Sequence, residues 1–199
     1  MKNILKKSYK MFINGEWVNS SNGIMVKTYA PYNNELLSEF PDASEKDVDL
    51  AVKSAKEAFK TWRKTTVKER AKILNEIADI IDENKDLLAT VETMDNGKPI
   101  RETKLVDIPL AATHFRYFAA CILADEGQAT ILDEKFLSII LKEPIGVVGQ
   151  IIPWNFPFLM AAWKLAPVLA SGCCTVFKSS SATPLSVLEL AGLIQDVLP

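Results

Sequence analysis

The stretch IGVVGQIIPWNFPFLMAAWKLAPVLASGCCTVF, residues 145–177, decides the fold. Its first eight residues, Ile145 to Ile152, are apolar apart from Gln150 and two glycines. A short apolar run of this kind suits a strand buried in a parallel sheet. Pro157 to Ala170 reads as a helix stopped by Gly172, and Cys173 to Phe177 as a second short apolar strand. Thr183 followed by Pro184 has the form of an N-cap with proline at the first helical position, continued by Leu185, Leu188 and Ala191. Strand, helix, strand, helix is the building block of a nucleotide-binding α/β domain. The predicted class is α/β, with an incomplete doubly wound parallel sheet and flanking helices.

Working outward toward the amino terminus, Ala129–Leu132 and Phe136–Leu141 are rich in β-formers and meet around Asp133-Glu134-Lys135, as a hairpin would. It reads equally well as an ordinary hairpin or as an arm that would imply a partner subunit. Residues Ile100–Ala124 suit a long helix that Pro109 must kink or restart. Thr66 with Glu69, and Ser44 with Asp47, have capping-box spacing. After the first, Ala71, Leu74, Ala78 and Ile81 recur at helical spacing; after the second, Val48, Val52, Ala55 and Phe59 do. Asn84 is placed to cap a continuation through Leu87, Leu88 and Val91, which Gly97 and Pro99 end. Leu36–Phe40 reads as a strand. Met11-Phe12-Ile13, Asn14-Gly15 and Glu16-Trp17-Val18 carry a strong signal for an N-terminal strand hairpin.

Composition narrows the function. A chain of 199 residues that is 48% hydrophobic can bury a real core. With 23 basic against 25 acidic side chains, the net charge is -2, which argues against nucleic acid and anionic membrane as partners. The stretch Pro153–Ala170 contains Asn155, Lys164 and three prolines, which disfavours a membrane span. No apolar signal core follows the basic start, and three cysteines without metal-site spacing suit a reducing, cytoplasmic compartment.

Ligands of open parallel sheets bind beyond the carboxyl ends of the strands, here Pro153-Trp154-Asn155 and Lys178 to Ser181. Lys178 offers an ammonium for ribose hydroxyls or phosphate, or is a solvated lysine at a strand end. Asn155 offers an amide donor to a developing oxyanion, or is a turn asparagine. Gly146 and Gly149 lie inside the predicted strand, so the usual glycine-rich dinucleotide fingerprint is missing. The sequence shows no paired-histidine metal site, phosphate-binding lysine loop or serine-nucleophile elbow, and no metal is expected. His114, beside Phe115 and Tyr117, and the cysteines Cys121, Cys173 and Cys174 read as packing residues.

The run Glu143-Pro144-Ile145-Gly146-Val147-Val148-Gly149-Gln150-Ile151-Ile152-Pro153-Trp154-Asn155-Phe156-Pro157 closely resembles the aldehyde dehydrogenase superfamily. The likeness continues through Ala162–Pro167, Leu169–Gly172 and Thr183–Leu185, and upstream through Ile13–Trp17 and Asp95–Pro99. It implies an NAD(P)-dependent enzyme that oxidises an aldehyde to a carboxylic acid through a cysteine thiohemiacetal. Asn155 would stabilise the oxyanion, and a water activated by a glutamate would release the acid after hydride transfer. Ile151, Ile152 and Trp154 would line the cofactor site and Lys178 would meet the adenosine ribose. Trp163 and the 100–118 helix would stand at the mouth of the aldehyde tunnel.

The resemblance divides the chain into residues 1–127, the N-terminal strands and helices of a cofactor domain; 128–142, a hairpin arm for a homo-oligomer, dimer or tetramer; and 143–199, the first βαβα unit. The catalytic domain, with its cysteine and glutamate, is expected outside this sequence, so the 199 residues alone are expected to be inactive. NAD-preferring relatives often carry glutamate where this chain has Ser181, and commonly proline where it has Ser179, which leaves NAD or NADP open. The altered 179–182 stretch also suits an alternative: a truncated, non-catalytic relative that acts as a binding or assembly partner.

Overall fold

Asn14 and Gly15 take φ angles of 56° and 74°, the left-handed pair that a type I′ turn demands. They join β1 (Met11–Ile13) to β2 (Glu16–Val18) as an antiparallel hairpin. The structure, a computed structural model, describes residues 4–198. A second hairpin pairs β3 (Met25–Tyr29) with β4 (Leu36–Pro41). The sequence analysis foresees only β4, because the one buried residue of β3 is Thr28, which breaks the apolar alternation that marks a half-buried strand.

Helix α1 (Glu45–Trp62) opens on the expected capping box at Ser44 and Asp47. Of the expected face, Ala55 is buried and Val52 and Phe59 are half-buried, but Val48 is exposed, and Asp47 and Trp62 are buried instead. The helix is turned because Asp47 is drawn inward. Its carboxylate accepts from the Ser44 N–H at 2.8 Å, the Ser20 hydroxyl at 2.8 Å and the Ser21 N–H at 3.0 Å. The Ser44 N–H above all holds that carboxyl well below the usual carboxylate range.

Helix α2 (Val67–Glu83) has the second capping box, at Thr66 and Glu69, and buries Ala71, Leu74, Ala78 and Ile81 as expected. Asn84 takes the expected N-cap position of the next helix, but its Nδ2 donates back to the Ile80 carbonyl at 2.8 Å. It thus caps the end of α2, and makes no side-chain cap for α3 (Lys85–Asn96). Gly97 ends α3 at a φ of 85°, where a Cβ would also sit 3.2 Å from the Pro31 Cβ. After α4 (Ile100–Glu102), residues Thr103–Asp107 form a π-helical turn that leads directly into α5 (Ile108–Leu123). Pro109 lies in the first turn of α5, the restart expected there, where a helix start leaves the N–H that proline lacks without an intrahelical partner.

The hairpin expected around Asp133-Glu134-Lys135 consists of β5 (Gln128–Asp133) and β6 (Phe136–Ile140), antiparallel and exposed along nearly its whole length. Then β7 (Val147–Ile151), α6 (Pro157–Ala170), β8 (Cys174–Lys178) and α7 (Leu185–Ile194) complete the chain. Strands β7 and β8 pair parallel, from Val147 opposite Cys174 to Ile151 opposite Lys178.

The βαβα unit is therefore present and the fold is α/β, but three expectations for this part of the chain differ from the structure. Each described sheet has two strands, so the winding of a larger sheet is not displayed. The strand at Ile145–Ile152 is shorter than expected and is not fully buried: Val147 and Val148 are half-buried, and Ile151 is exposed. A two-stranded sheet has two open edges and only partial cover. Thr183 does not cap α7, whose N-cap is Pro184.

The main core lies among the helices, where α2, α5, α6 and α7 bring together Leu74, Ile77, Phe115, Phe158 and Leu190. Arg70 ties this bundle to the turn before β8. Its Nε donates to the Ala170 carbonyl at 2.8 Å and an Nη to the Thr65 carbonyl at 2.6 Å, which satisfies a carbonyl at the end of α6. No helix among the described residues is long and apolar enough to cross a membrane.

Candidate active site

Parallel pairing brings the carboxyl ends of β7 and β8 side by side, so the loops at 152–156 and 179–183 form one rim. A hydrogen bond from the Ile152 N–H to the Lys178 carbonyl, 3.2 Å, closes the ladder at this edge. On the rim, Ile151 is 76% exposed and Trp154 62%, and Asn155, Lys178 and Ser181 are all exposed. The Lys178 ammonium donates to the neighbouring Ser179 carbonyl at 3.1 Å. Ile152 stands apart from the other candidates. Its side chain is 3% exposed and packs with Ala161 and Val187, so it offers a ligand at this edge backbone rather than an apolar surface.

The 152–158 loop is held by the end of α3 and the turn after it. Asn96 Nδ2 donates to the Trp154 carbonyl at 2.7 Å, and the Thr183 hydroxyl donates to the same oxygen at 3.3 Å. The Lys98 ammonium lies 3.3 Å from the centre of the Phe156 ring, a cation over an aromatic face. Lys98 also pairs at 2.6 Å with Asp107 of the π-helical turn, both largely buried. One turn back, Glu92 Oε1 accepts from the Phe158 N–H at 3.3 Å, and Asp95 Oδ2 accepts from the Leu185 N–H at 2.8 Å. Two carboxylates three residues apart on one helix thus receive N–H groups from the first turns of α6 and α7, whose amide ends favour negative charge.

These carboxyls are perturbed. Burial pushes Glu92 up to about 7 against the pull of the Phe158 N–H, and Asp95 up to about 6 against the Leu185 N–H and the Thr28 hydroxyl. Glu92 Oε2 and the Ser186 hydroxyl are buried without a hydrogen-bond partner among the described residues. Asn96, Glu92 and Asp95 carry no functional signal of their own in the sequence. Only the Asp95–Pro99 likeness marked the region, and nothing in local spacing ties residue 96 to residue 154.

The other candidates settle as packing groups. His114 stacks among Tyr117, Phe118 and Trp163, and burial lowers its pKa. Cys173 is buried, and burial raises the pKa of Cys174, which opposes the thiolate form a nucleophile needs. Among the described residues no group of three His, Cys, Asp or Glu side chains is arranged to hold a metal ion.

The family model described as the aldehyde dehydrogenase family matches residues 17–199. Aldehyde dehydrogenase B of Escherichia coli K12 is 50% identical over 195 residues, which is 98% of this chain and 38% of that protein. A long-chain-aldehyde dehydrogenase of Acinetobacter is 48% identical over 194 residues, 98% of this chain and 39% of its own length. The solved NAD+ complex of an aldehyde dehydrogenase from Bacillus cereus superposes with a TM-score of 0.94 at 40% identity, covering 98% of this chain and 40% of that one. The chain thus spans about two fifths of the length of these relatives, and over that span it belongs to the aldehyde dehydrogenase family.

Proposed function

We propose that the chain is the amino-terminal portion of an NAD(P)-dependent aldehyde dehydrogenase that converts an aldehyde to a carboxylic acid. The observation that carries this reading is the rim beyond β7 and β8, where exposed Asn155, Trp154 and Lys178 stand together at the carboxyl ends of parallel strands. Attack by a cysteine thiolate outside these residues would create a thiohemiacetal oxyanion. The Asn155 side-chain amide is the donor this chain contributes to it. No feature of the fold favours the non-catalytic alternative.

A dinucleotide fits the rim. Exposed apolar surface at Ile151 and Trp154 suits flat rings, and the Lys178 ammonium and Ser181 hydroxyl suit ribose oxygens or a phosphate. When bound, its nicotinamide supplies the hydride acceptor. Lys178 and Ser181 would hold the adenosine ribose, Trp154 and Ile151 would flank the cofactor, and Ile152 would contribute backbone. The domain division follows: residues 1–127 and 143–199 build the cofactor side and 128–142 the arm. With Ile131, Leu132, Phe136 and Leu137 all exposed on it, the arm fits a second copy of the chain in a dimer or tetramer. A single-chain mass for the natural protein in solution would remove that part of the reading.

Without a carboxylate at position 181, both NAD and NADP should bind. Ser181→Glu places a negative charge beside any 2′-phosphate, a repulsion of ~1–2 kcal/mol at a partly solvated site. NADP affinity should therefore fall about tenfold or more while NAD affinity holds, as read by cofactor titration of the complete natural protein. An unchanged ratio of the two affinities would place the adenosine ribose away from Ser181.

A further inference from the structure

We infer that Asn96, together with Thr183, is a positioning residue for Asn155, acting through the Trp154 carbonyl; the inference rests on the oxyanion role proposed for Asn155. The peptide from the Trp154 carbonyl to the Asn155 nitrogen is a rigid plane, so whatever orients its oxygen orients the bond into the Asn155 Cα. Two donors converge on that oxygen from separate elements: Asn96 Nδ2 at the end of α3, 2.7 Å away, and Thr183 Oγ1 before α7, 3.3 Å away. An acceptor held by two donors in different directions has little freedom to rotate.

The same frame grips the loop at alternate residues. Lys98 covers the Phe156 ring and Glu92 receives the Phe158 N–H, while Asp95 fixes the start of α7 close to Thr183 through the Leu185 N–H. Residues 92–98 thus touch the chain at positions 154, 156, 158 and 185. Asn155 itself stays exposed on the rim, free to meet a reacting group, while the carbonyl that precedes it is held by two donors. Oxyanion stabilisation depends on donors set in advance where charge develops, and a displacement of about 1 Å can cost about a hundredfold in rate. Asn96 is half-buried at a helix end, so its loss affects the loop more than the core.

The test is kinetic and uses the complete natural enzyme. Asn96→Asp keeps the shape but sets an acceptor against the Trp154 carbonyl. It should lower kcat by ~10–100-fold, with the cofactor KM within about threefold of the parent. Thr183→Val should lower kcat by less, and Thr183→Ser should recover most of that loss, which guards against an Asn96 variant that simply fails to fold. In the Asn96→Asp/Asn155→Ala double variant, the rate should lie within about threefold of Asn155→Ala alone, because a displaced loop cannot harm a donor already removed. Losses that multiply in the double variant, or a parental kcat in both Asn96→Asp and Thr183→Val, overturn the positioning role. An Asn155→Ala enzyme as fast as the parent overturns the oxyanion reading and this inference with it, whereas a slow Asn155→Ala beside fast Asn96 and Thr183 variants overturns this inference alone.

Discussion

On the proposed oxyanion role, replacing Asn155 by alanine in the natural protein should lower kcat for aldehyde oxidation by ~10²–10³, the cost typical of removing one side-chain donor from an oxyanion hole. That loss corresponds to about 3–4 kcal/mol of transition-state stabilisation. The side chain is exposed, and surface substitutions away from caps and cores usually change stability by no more than about 0.5 kcal/mol. The unfolding temperature and the cofactor affinity should therefore stay near their parental values. Asn155→Asp should be at least as slow, since it removes the donor and adds a charge that repels the oxyanion. A variant with parental kcat would show that the rim does not contact the reacting carbonyl.

The largest effect on stability is expected from pH and from Glu92. Its side chain is completely buried, one carboxyl oxygen has no hydrogen-bond partner among the described residues, and burial pushes its pKa from an ordinary 4.5 up to about 7. A carboxyl with a raised folded value holds its proton where the unfolded chain has lost it. Its contribution is fully present below 4.5 and is lost as pH rises toward 7, an effect of about 3 kcal/mol. Asp95 acts with the same sign between 3.8 and about 6. Asp47 and Glu69, whose values are lowered by hydrogen bonds to helix-end N–H groups, act with the opposite sign and weaken the fold only at more acid pH.

Glu92→Gln keeps an acceptor for the Phe158 N–H and cannot ionise. The variant should match the parent near pH 4 and exceed it in unfolding free energy by about 3 kcal/mol at pH 8. Denaturant titrations at both pH values read this directly. An equal slope of stability against pH in the two proteins would mean that Glu92 ionises in the folded state at an ordinary pH.

How much of this was legible in the sequence depended on the range of the interaction. The Asn14-Gly15 turn and both capping boxes were readable because the residues that create them are within three positions of each other. The βαβα order was readable for the same reason: apolar run, proline-led helix and glycine stop are all local. Misreadings arose where a distant partner redirected a local signal. Asp47 displaced Val48 from the buried face because Ser20 and Ser21 reach it from another segment. Thr183 gives its hydroxyl to the Trp154 carbonyl instead of capping α7, and Asp95 takes the Leu185 N–H.

The candidate site divided along the same line. Asn155, Trp154, Lys178 and Ser181 could be placed at strand ends from local pattern and family likeness. The Asn96 contact spans 58 residues and the Glu92 contact 66, and no periodicity or spacing rule reaches that far. Burial was the other blind spot. The two isoleucines at 151 and 152 look equivalent in sequence, yet one is exposed on the rim and the other is sealed beneath it.

The central claim is tested most directly by adding an aldehyde with NAD or NADP to the purified natural protein and following formation of the reduced nicotinamide together with the carboxylic acid. Aldehyde-dependent reduction, one acid formed per cofactor reduced, is the expected result. Cofactor binding without turnover of any aldehyde across aliphatic and aromatic classes would contradict it and leave a nucleotide-binding protein that does not oxidise aldehydes.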